Sequence, residues 1–266
     1  MPKKKRRVLV ISDFHSGHHV GLTPPSWHDT PSSTADPARI KLAEFRQRTY
    51  SIFHKQVKAL KPIDVLIVNA DCIDGRGEKS GQTELLTSDR DKQCDMASEI
   101  IKYVGAKKIL MTYGTGYHTG SLEDFENKIA REVKADKIGG HEWVDVNGLV
   151  FDVKHKVGAS SIPHGRMTPI ARERLWNLLW SEREESPKSN IIIRSHVHYH
   201  NFAGGKNWLA LTTPALQGPG SKYGTRQCSG TVDFGFVHFD VNPSGSYEWQ
   251  AHITKLLDKN EMLLKL

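Results

Sequence analysis

The stretch VLVIS (8–12) runs directly into Asp13-Phe14-His15. A short run that is wholly apolar, rich in Val and Ile and closed abruptly by polar residues reads as a buried parallel strand, because such a strand is covered on both faces. The same pattern recurs in PIDVLIVNA (62–70), KKILMTY (107–113) and NIIIRS (190–195). Helical periodicity separates the first three runs. Residues 37–60 place Leu42, Phe45, Phe53, Val57 and Leu60 on one helix face, and 89–104 do the same with Ala97, Ile100, Ile101 and Val104. A third helix carries Leu122, Phe125, Ile129 and Val133 behind Ser121, a plausible N-cap with Asp124 three residues on.

The second half changes texture. GLVFDVKH (148–155), WLALTTPAL (208–216), FGFVHFDV (234–241) and YEWQAHITKL (247–256) read as strands, with one amphipathic helix near 169–184. An α/β first half followed by a strand-rich second half implies two packed sheets with helices outside, in a single domain over 8–266 behind a basic tail at 1–7. The polar stretch 20–36 and the glycine-rich stretch 217–231 read as loops bordering a site.

Composition narrows the class. The chain has 266 residues, 38% hydrophobic and 25% charged, which is ordinary globular material for one sizeable core. No run of 18 or more apolar residues is present, so the expectation is a non-membrane, non-exported, cytoplasmic protein. Cys72, Cys94 and Cys228 lack the C-x-x-C spacing of a thiolate zinc site and are odd in number, which excludes a full disulfide framework. Of the net charge of +7, Lys3, Lys4, Lys5, Arg6 and Arg7 supply five, so the basicity that would point to nucleic acid sits mainly in one tail.

Each apolar run ends on ionisable residues. VLVIS meets Asp13 and His15, VLIVNA meets Asp71 and Asp74, ILMTYGTGY meets His118, LVFDVK meets His155, and IIIRS meets His196 and His198. Carboxyl ends of parallel strands share one crevice, so five segments deliver carboxylates and imidazoles to one place. Mixed Asp and His ligands suit Mn²⁺, Fe²⁺ or Zn²⁺ better than Mg²⁺ or Ca²⁺. Two such ions, about 3.5–4 Å apart, hold a phosphoryl group, acidify a bridging water and absorb the charge of in-line attack. No G-x-S-x-G elbow and no G-x-x-x-x-G-K-[ST] loop argues for a serine nucleophile or a P-loop.

The order D-x-H, x-D-x-x-D, G-x-x-x-H, a lone His, then H-x-H resembles the calcineurin-like metallophosphoesterase superfamily, over residues 8–200. That resemblance implies a four-layer α-β-β-α sandwich of two mixed sheets, and two divalent ions, Mn²⁺ foremost and Fe²⁺ or Zn²⁺ as alternatives. It assigns Asp13, His15 and His198 to one ion, His155 and His196 to the other, and Asp71 as the bridge. His118 is implied as the residue that protonates the leaving oxygen or stabilises the transition state, and Asp74 as the orienter of a ligand. Where the family has G-N-H, this chain reads Gly114-Thr115-Gly116-Tyr117-His118, so Thr115 replaces an Asn ligand and the second ion is expected to be held more weakly. The G-T-x-x-H form resembles a phage-type or DNA-repair-nuclease-like branch. Arg76, after Asp74, and His18, in the loop after His15, are candidate substrate contacts. His19, Tyr117 and Tyr223 are weaker ones, and His164, Arg166, Arg172 and His200 flank the site with no motif of their own.

The expected activity is hydrolysis of a phosphodiester, with nucleic acid as the partner the basic tail would favour. The alternatives are a phosphomonoesterase, including a protein phosphatase, and a non-catalytic binding module on the same scaffold. The broken G-D-x-V-D-R-G and G-N-H-E patterns weigh against the protein phosphatase, and the intact carboxylate and histidine set weighs against the binding module. The oligomeric state is not legible.

Overall fold

The structure, a computed structural model, describes residues 4–119, 124–221 and 231–257. The first apolar run becomes β1 (Arg6–Ile11), and the next two become β2 (Val65–Val68) and β3 (Lys108–Thr112), all parallel, with short β4 (Lys137–Gly139) beside them. The chain then builds a second sheet from β5 (Glu142–Val146), β6 (Leu149–Val153), β7 (Ile191–Arg194), β8 (Asn201–Gly205) and β9 (Trp208–Thr212). It returns to the first sheet with β10 (Phe234–Val241) and β11 (Tyr247–Thr254). The strand orders are β11-β10-β1-β2-β3-β4 and β5-β6-β7-β9-β8. Both sheets are mixed, with a parallel interior and antiparallel strands at an edge.

Alternation along β1 shows why the run has to be apolar throughout. Leu9 and Ile11 face a core shared with α1 (Pro37–Leu60), α2 (Arg90–Val104) and α4 (Phe125–Glu132). Val8 and Val10 face the other way, into a core shared with Phe151, Val153, Ile191 and Ile193 of the second sheet. A smaller cluster puts Ile170 of α5 (Met167–Glu182) on Ile192, Ala203 and Ala210, closing the outer face of the second sheet. Three apolar layers between four structural layers give the α-β-β-α sandwich that the resemblance implied. Hydrophobic burial over all three interfaces is its main driving force.

Several local expectations are revised. The strand at the N-terminus starts at Arg6, so Arg6 and Arg7 belong to β1 rather than to a tail, and Arg7 is fastened to Asp240 and to the Leu60 carbonyl. The cap of α4 is Asp124, whose carboxylate accepts from Glu126 N, while Ser121 and Leu122 lie outside the described residues. Strands β4, β5 and β8, and the single turn α3 (Gly116–Thr119), had no clear signal, because short half-buried edge segments leave too few residues to establish a period. Helix α5 is less amphipathic than its sequence reading, for Leu175, Trp176 and Leu179 all stand exposed. Among the described residues no helix is long and apolar enough to cross a membrane.

Candidate metal centre

At the carboxyl ends of β1 and β2 the parallel ladder does not stop with the strands. It continues through Asp13 N to Ala70 O at 3.0 Å, His15 N to Asp71 O at 3.1 Å and Ser16 N to Cys72 O at 3.0 Å. Holding both loops in register forces left-handed backbone at Asp13, His15, Ala70 and Asp71, with φ of 51°, 46°, 64° and 47°. The loop after β7 repeats this, with φ of 75° at His196 and 56° at His198. Side chains with a Cβ pay about 1 kcal/mol or more each for that conformation, and it persists only where the surroundings impose it. Five of the six proposed ligands carry the strain.

The strain turns the side chains together. Three groups of ligand atoms converge: Asp13, His15 and His198; Asp71, His155 and His196; and His15, Asp71 and His118, each with its atoms within 4.8 Å of one another. The Nε2 atoms of His15 and His198 lie 3.2 Å apart, and Asp13 Oδ1 is 3.4 Å from His198 Nε2 and 4.0 Å from His155 Nε2. In the second group Asp71 Oδ2 stands 2.9 Å from His155 Nε2 and 3.9 Å from His196 Nδ1. Asp71 belongs to two groups, one with His155 and His196 and one with His15 and His118. Asp13 is wholly buried, yet its Oδ1 has no hydrogen-bond partner. A buried carboxylate oxygen without a donor, facing crowded imidazole nitrogens, is costly unless a cation satisfies it. The donor set therefore fits divalent metal, and these groups could hold one.

Electrostatics support the same account. Burial resists charge on His155, but Asp71 and then Asp13 outweigh it and raise its pKa to about 10. Burial likewise opposes the Asp71 charge, and His155 and His196 overcome it, holding Asp71 well below the usual carboxylate range. Protons on imidazole and a cation between these residues are thus alternatives, since a ligating His is neutral.

Supporting contacts fix the ligands. His155 Nδ1 donates to Asn69 O at 2.8 Å, which leaves Nε2 for the centre. Asp74 Oδ1 lies 3.2 Å from His15 Nδ1. The His118 Nδ1–H donates to the Asp74 carbonyl at 2.8 Å, leaving Nε2 as its free nitrogen, and burial followed by the nearby His15 lowers its pKa. Thr115 does reach the second group: its N–H donates to Asp71 Oδ1 at 2.7 Å, and its hydroxyl is 3.2 Å from both Asp71 Oδ2 and His196 Nδ1. Gly114 is needed here, since a Cβ would sit 2.2 Å from Asp71 Oδ1.

Two candidates stand apart from the ligand groups. Arg76 is exposed in the loop after Asp74. His18 is buried, its Nδ1 accepting from Val20 N at 3.1 Å and its Nε2 4.0 Å from Glu84 Oε1. Of the flanking residues, Arg166 lies over the Tyr199 ring and bonds Thr231, and His200 donates to the Thr212 carbonyl. Tyr223 and Cys228 lie outside the described residues.

The sequence reading missed the polar scaffold beneath the centre. Thr112 Oγ1 donates to Asn69 Oδ1, Asn69 Nδ2 donates to Ser195 Oγ, and Ser195, Thr213 and Ser12 join by their hydroxyls at 2.6–2.7 Å. This buried chain links β1, β2, β3 and β7 at their ends. Glu126 does similar work from α4, accepting from Cys72 N and Gly114 N, with burial and then Asp71 pushing its pKa up to about 8. The clue to the scaffold was a polar residue just before each motif, at Ser12, Asn69 and Ser195, where an apolar strand would otherwise continue.

No protein-family model matches the sequence, and no curated protein matches it either. Solved structures do match. Vacuolar protein sorting 29 from Cryptosporidium parvum is 12% identical over 95% of this chain and 99% of its own, with a TM-score of 0.48. Wild-type Vps29 complexed with zinc, from Entamoeba histolytica, is 14% identical over 93% and 98%, at 0.45. An archaeal phosphodiesterase is 11% identical over 92% and 99%, at 0.44. At such identities none of the three lends this chain its own chemistry.

Proposed function

We propose that this protein is a metal-dependent phosphoesterase of the calcineurin-like kind, acting on phosphodiesters, with two divalent ions, Mn²⁺ foremost, as its cofactor. One observation carries the proposal: three candidate ligand groups, the first two linked by His15 and the last two by Asp71 when taken in the order Asp13-His15-His198, His15-Asp71-His118 and Asp71-His155-His196, assembled by strained backbone at the ends of β1, β2 and β7. Asp13, His15 and His198 would hold one ion, His155 and His196 the other, with Asp71 between them and Thr115 at the margin of the second. When bound, such a pair supplies Lewis acidity for phosphoryl transfer.

The chain's own residues do the rest. Thr115 N donates to Asp71 Oδ1 and so orients the carboxylate, whose Oδ2 faces His155. Asp74 accepts from His118 through its carbonyl and sets its carboxylate 3.2 Å from His15 Nδ1, beside both rings. With Nδ1–H held by the Asp74 carbonyl, His118 would act as an acid only as the imidazolium, protonated at Nε2 as well, and would pass that Nε2 proton to the departing alkoxide. The choice of diester rests on the likeness of the Gly114-Thr115-Gly116-Tyr117-His118 form to the DNA-repair-nuclease-like branch.

The test is hydrolysis of a bis-aryl phosphodiester beside the matching aryl phosphomonoester, with Mn²⁺ and with chelator, together with metal analysis. Faster, chelator-sensitive diester cleavage is expected. Faster monoester cleavage would replace the substrate class, and bound metal without either activity would favour a binding module.

A further inference from the structure

The loop that leaves His15 has a second side. Residues 16–19 pair with the 82–86 segment, through His19 N to Glu84 O at 2.8 Å and Leu86 N to Gly17 O at 2.7 Å. Behind that pairing lies a cavity of about 410 Å³ whose polar lining includes His19, Asp29, Arg39 and Arg46. Arg46, on the buried face of α1, is only 2% exposed. One of its nitrogens, Nη2, pairs with Asp29, but Nε and Nη1 are buried and have no partner, and neither has His19 Nδ1. A guanidinium cannot shed its charge, so two unsatisfied donors on a buried Arg are a large penalty that a native site normally relieves with an acceptor. Of the cavity's two carboxylates, Asp29 is already shared between Arg46 and Arg39, and Asp36 is committed to capping Ala38 N at the start of α1, whose helix dipole compensates it. The apolar wall of Leu42, Leu85 and Leu86 leaves room for more than the anion itself.

We infer that this cavity is a phosphate-binding site, in which Arg46 and His19 hold a phosphate group one loop away from the metal centre. The phosphate has two possible sources: a free phosphate-bearing small molecule, or a flanking phosphate of a polymeric diester substrate. Only the second source rests on the hydrolase reading.

Calorimetry with inorganic phosphate tests the site without turnover. The full chain carrying Asp71→Asn, which disables the metal centre, is expected still to bind phosphate, and adding Arg46→Gln is expected to weaken that binding about tenfold or more. Should Arg46→Gln fail to fold, His19→Leu in the same background carries the test, with weakening of about threefold or more expected. No phosphate binding by the Asp71→Asn protein, or equal binding with Arg46→Gln or His19→Leu, overturns the proposal. The source is read from turnover in the otherwise native chain. A raised KM for a short oligonucleotide with Arg46→Gln, but not for an aryl diester that has a single phosphate, assigns the site to the substrate strand. Phosphate binding lost with both KM values unchanged assigns it to a free ligand. A protein that binds phosphate through Arg46 yet hydrolyses nothing would sink the hydrolase reading and leave this one standing.

Discussion

Where β1 starts, Arg7 donates through Nε and Nη2 to both oxygens of Asp240 at 2.7 and 2.8 Å, and Lys107 meets Asp64 at 2.7 Å. Where β1 ends, Asp13 Oδ1 has no partner, and the Nε2 atoms of His15 and His198 stand 3.2 Å apart, where either ring could donate to the other. The same sheet thus closes its charges pairwise at one end, and at the other crowds imidazoles and carboxylates together with one buried carboxylate oxygen unsatisfied. Ion pairs near solvent cost little to form and return little. Buried, crowded ligands on strained backbone cost much, and a cation is what makes such an arrangement tolerable. The finishing end of the strands gathers groups that could hold a cation, while the starting end is built for stability.

The severest way to break this contrast is Asp71→Asn. An amide cannot bridge two cations, so activity is expected to vanish with every metal, metal content to fall, and the far-UV circular dichroism to stay native. Unchanged metal content and activity would remove the dinuclear account. His118→Ala comes next. It is expected to keep its metal and lose about 10²–10⁴ in rate on diesters with poor leaving groups, and much less on activated aryl esters. Equal losses on both would make His118 a ligand, as its place in the group with His15 and Asp71 also allows.

Thr115 gives a smaller effect. Its hydroxyl sits 3.2 Å from Asp71 Oδ2 and from His196 Nδ1, where an amide oxygen would reach further into the second group. Titration is expected to find two unequal metal affinities, with Thr115→Asn tightening the weaker by about tenfold, or 1.4 kcal/mol. Two equally tight sites that Thr115→Ala leaves untouched would show that another residue holds the second ion.

The smallest effect belongs to the starting end. Hydrogen bonding from Arg7, against a lesser desolvation, lowers the Asp240 pKa to about 2. A carboxylate with a depressed folded-state pKa contributes fully above its unfolded value near ~3.9 and loses that contribution as pH falls toward the folded one. Asp240→Asn is therefore expected to cost about 1–2 kcal/mol in chemical denaturation at pH 7, much less near pH 2, and nothing in turnover. A loss of activity there would mean that the two ends are coupled.

Much of this was legible because periodicity and sequence order are local properties. A strand covered on both faces must be apolar at every position, so VLVIS, VLIV and III announced β1, β2 and β7, and each motif was visible where the apolar run broke. Edge strands β5 and β8, half wet and short, broadcast no such pattern. The candidate ligands Asp13, His15, Asp71, His155, His196 and His198 were likewise visible as residue types, but a sequence holds no distances. Only the tertiary structure decided that Asp71 stands in two ligand groups, that Thr115 reaches one of them, and that Arg76 stays in solvent. It also decided that Arg7 belongs to the sheet and that Arg46 lies buried with two nitrogens unsatisfied. The reason is physical. Which charges face each other depends on long-range packing of helices and two sheets, and burial, which turns an ordinary arginine or aspartate into a costly and informative one, exists only after the chain has folded around it.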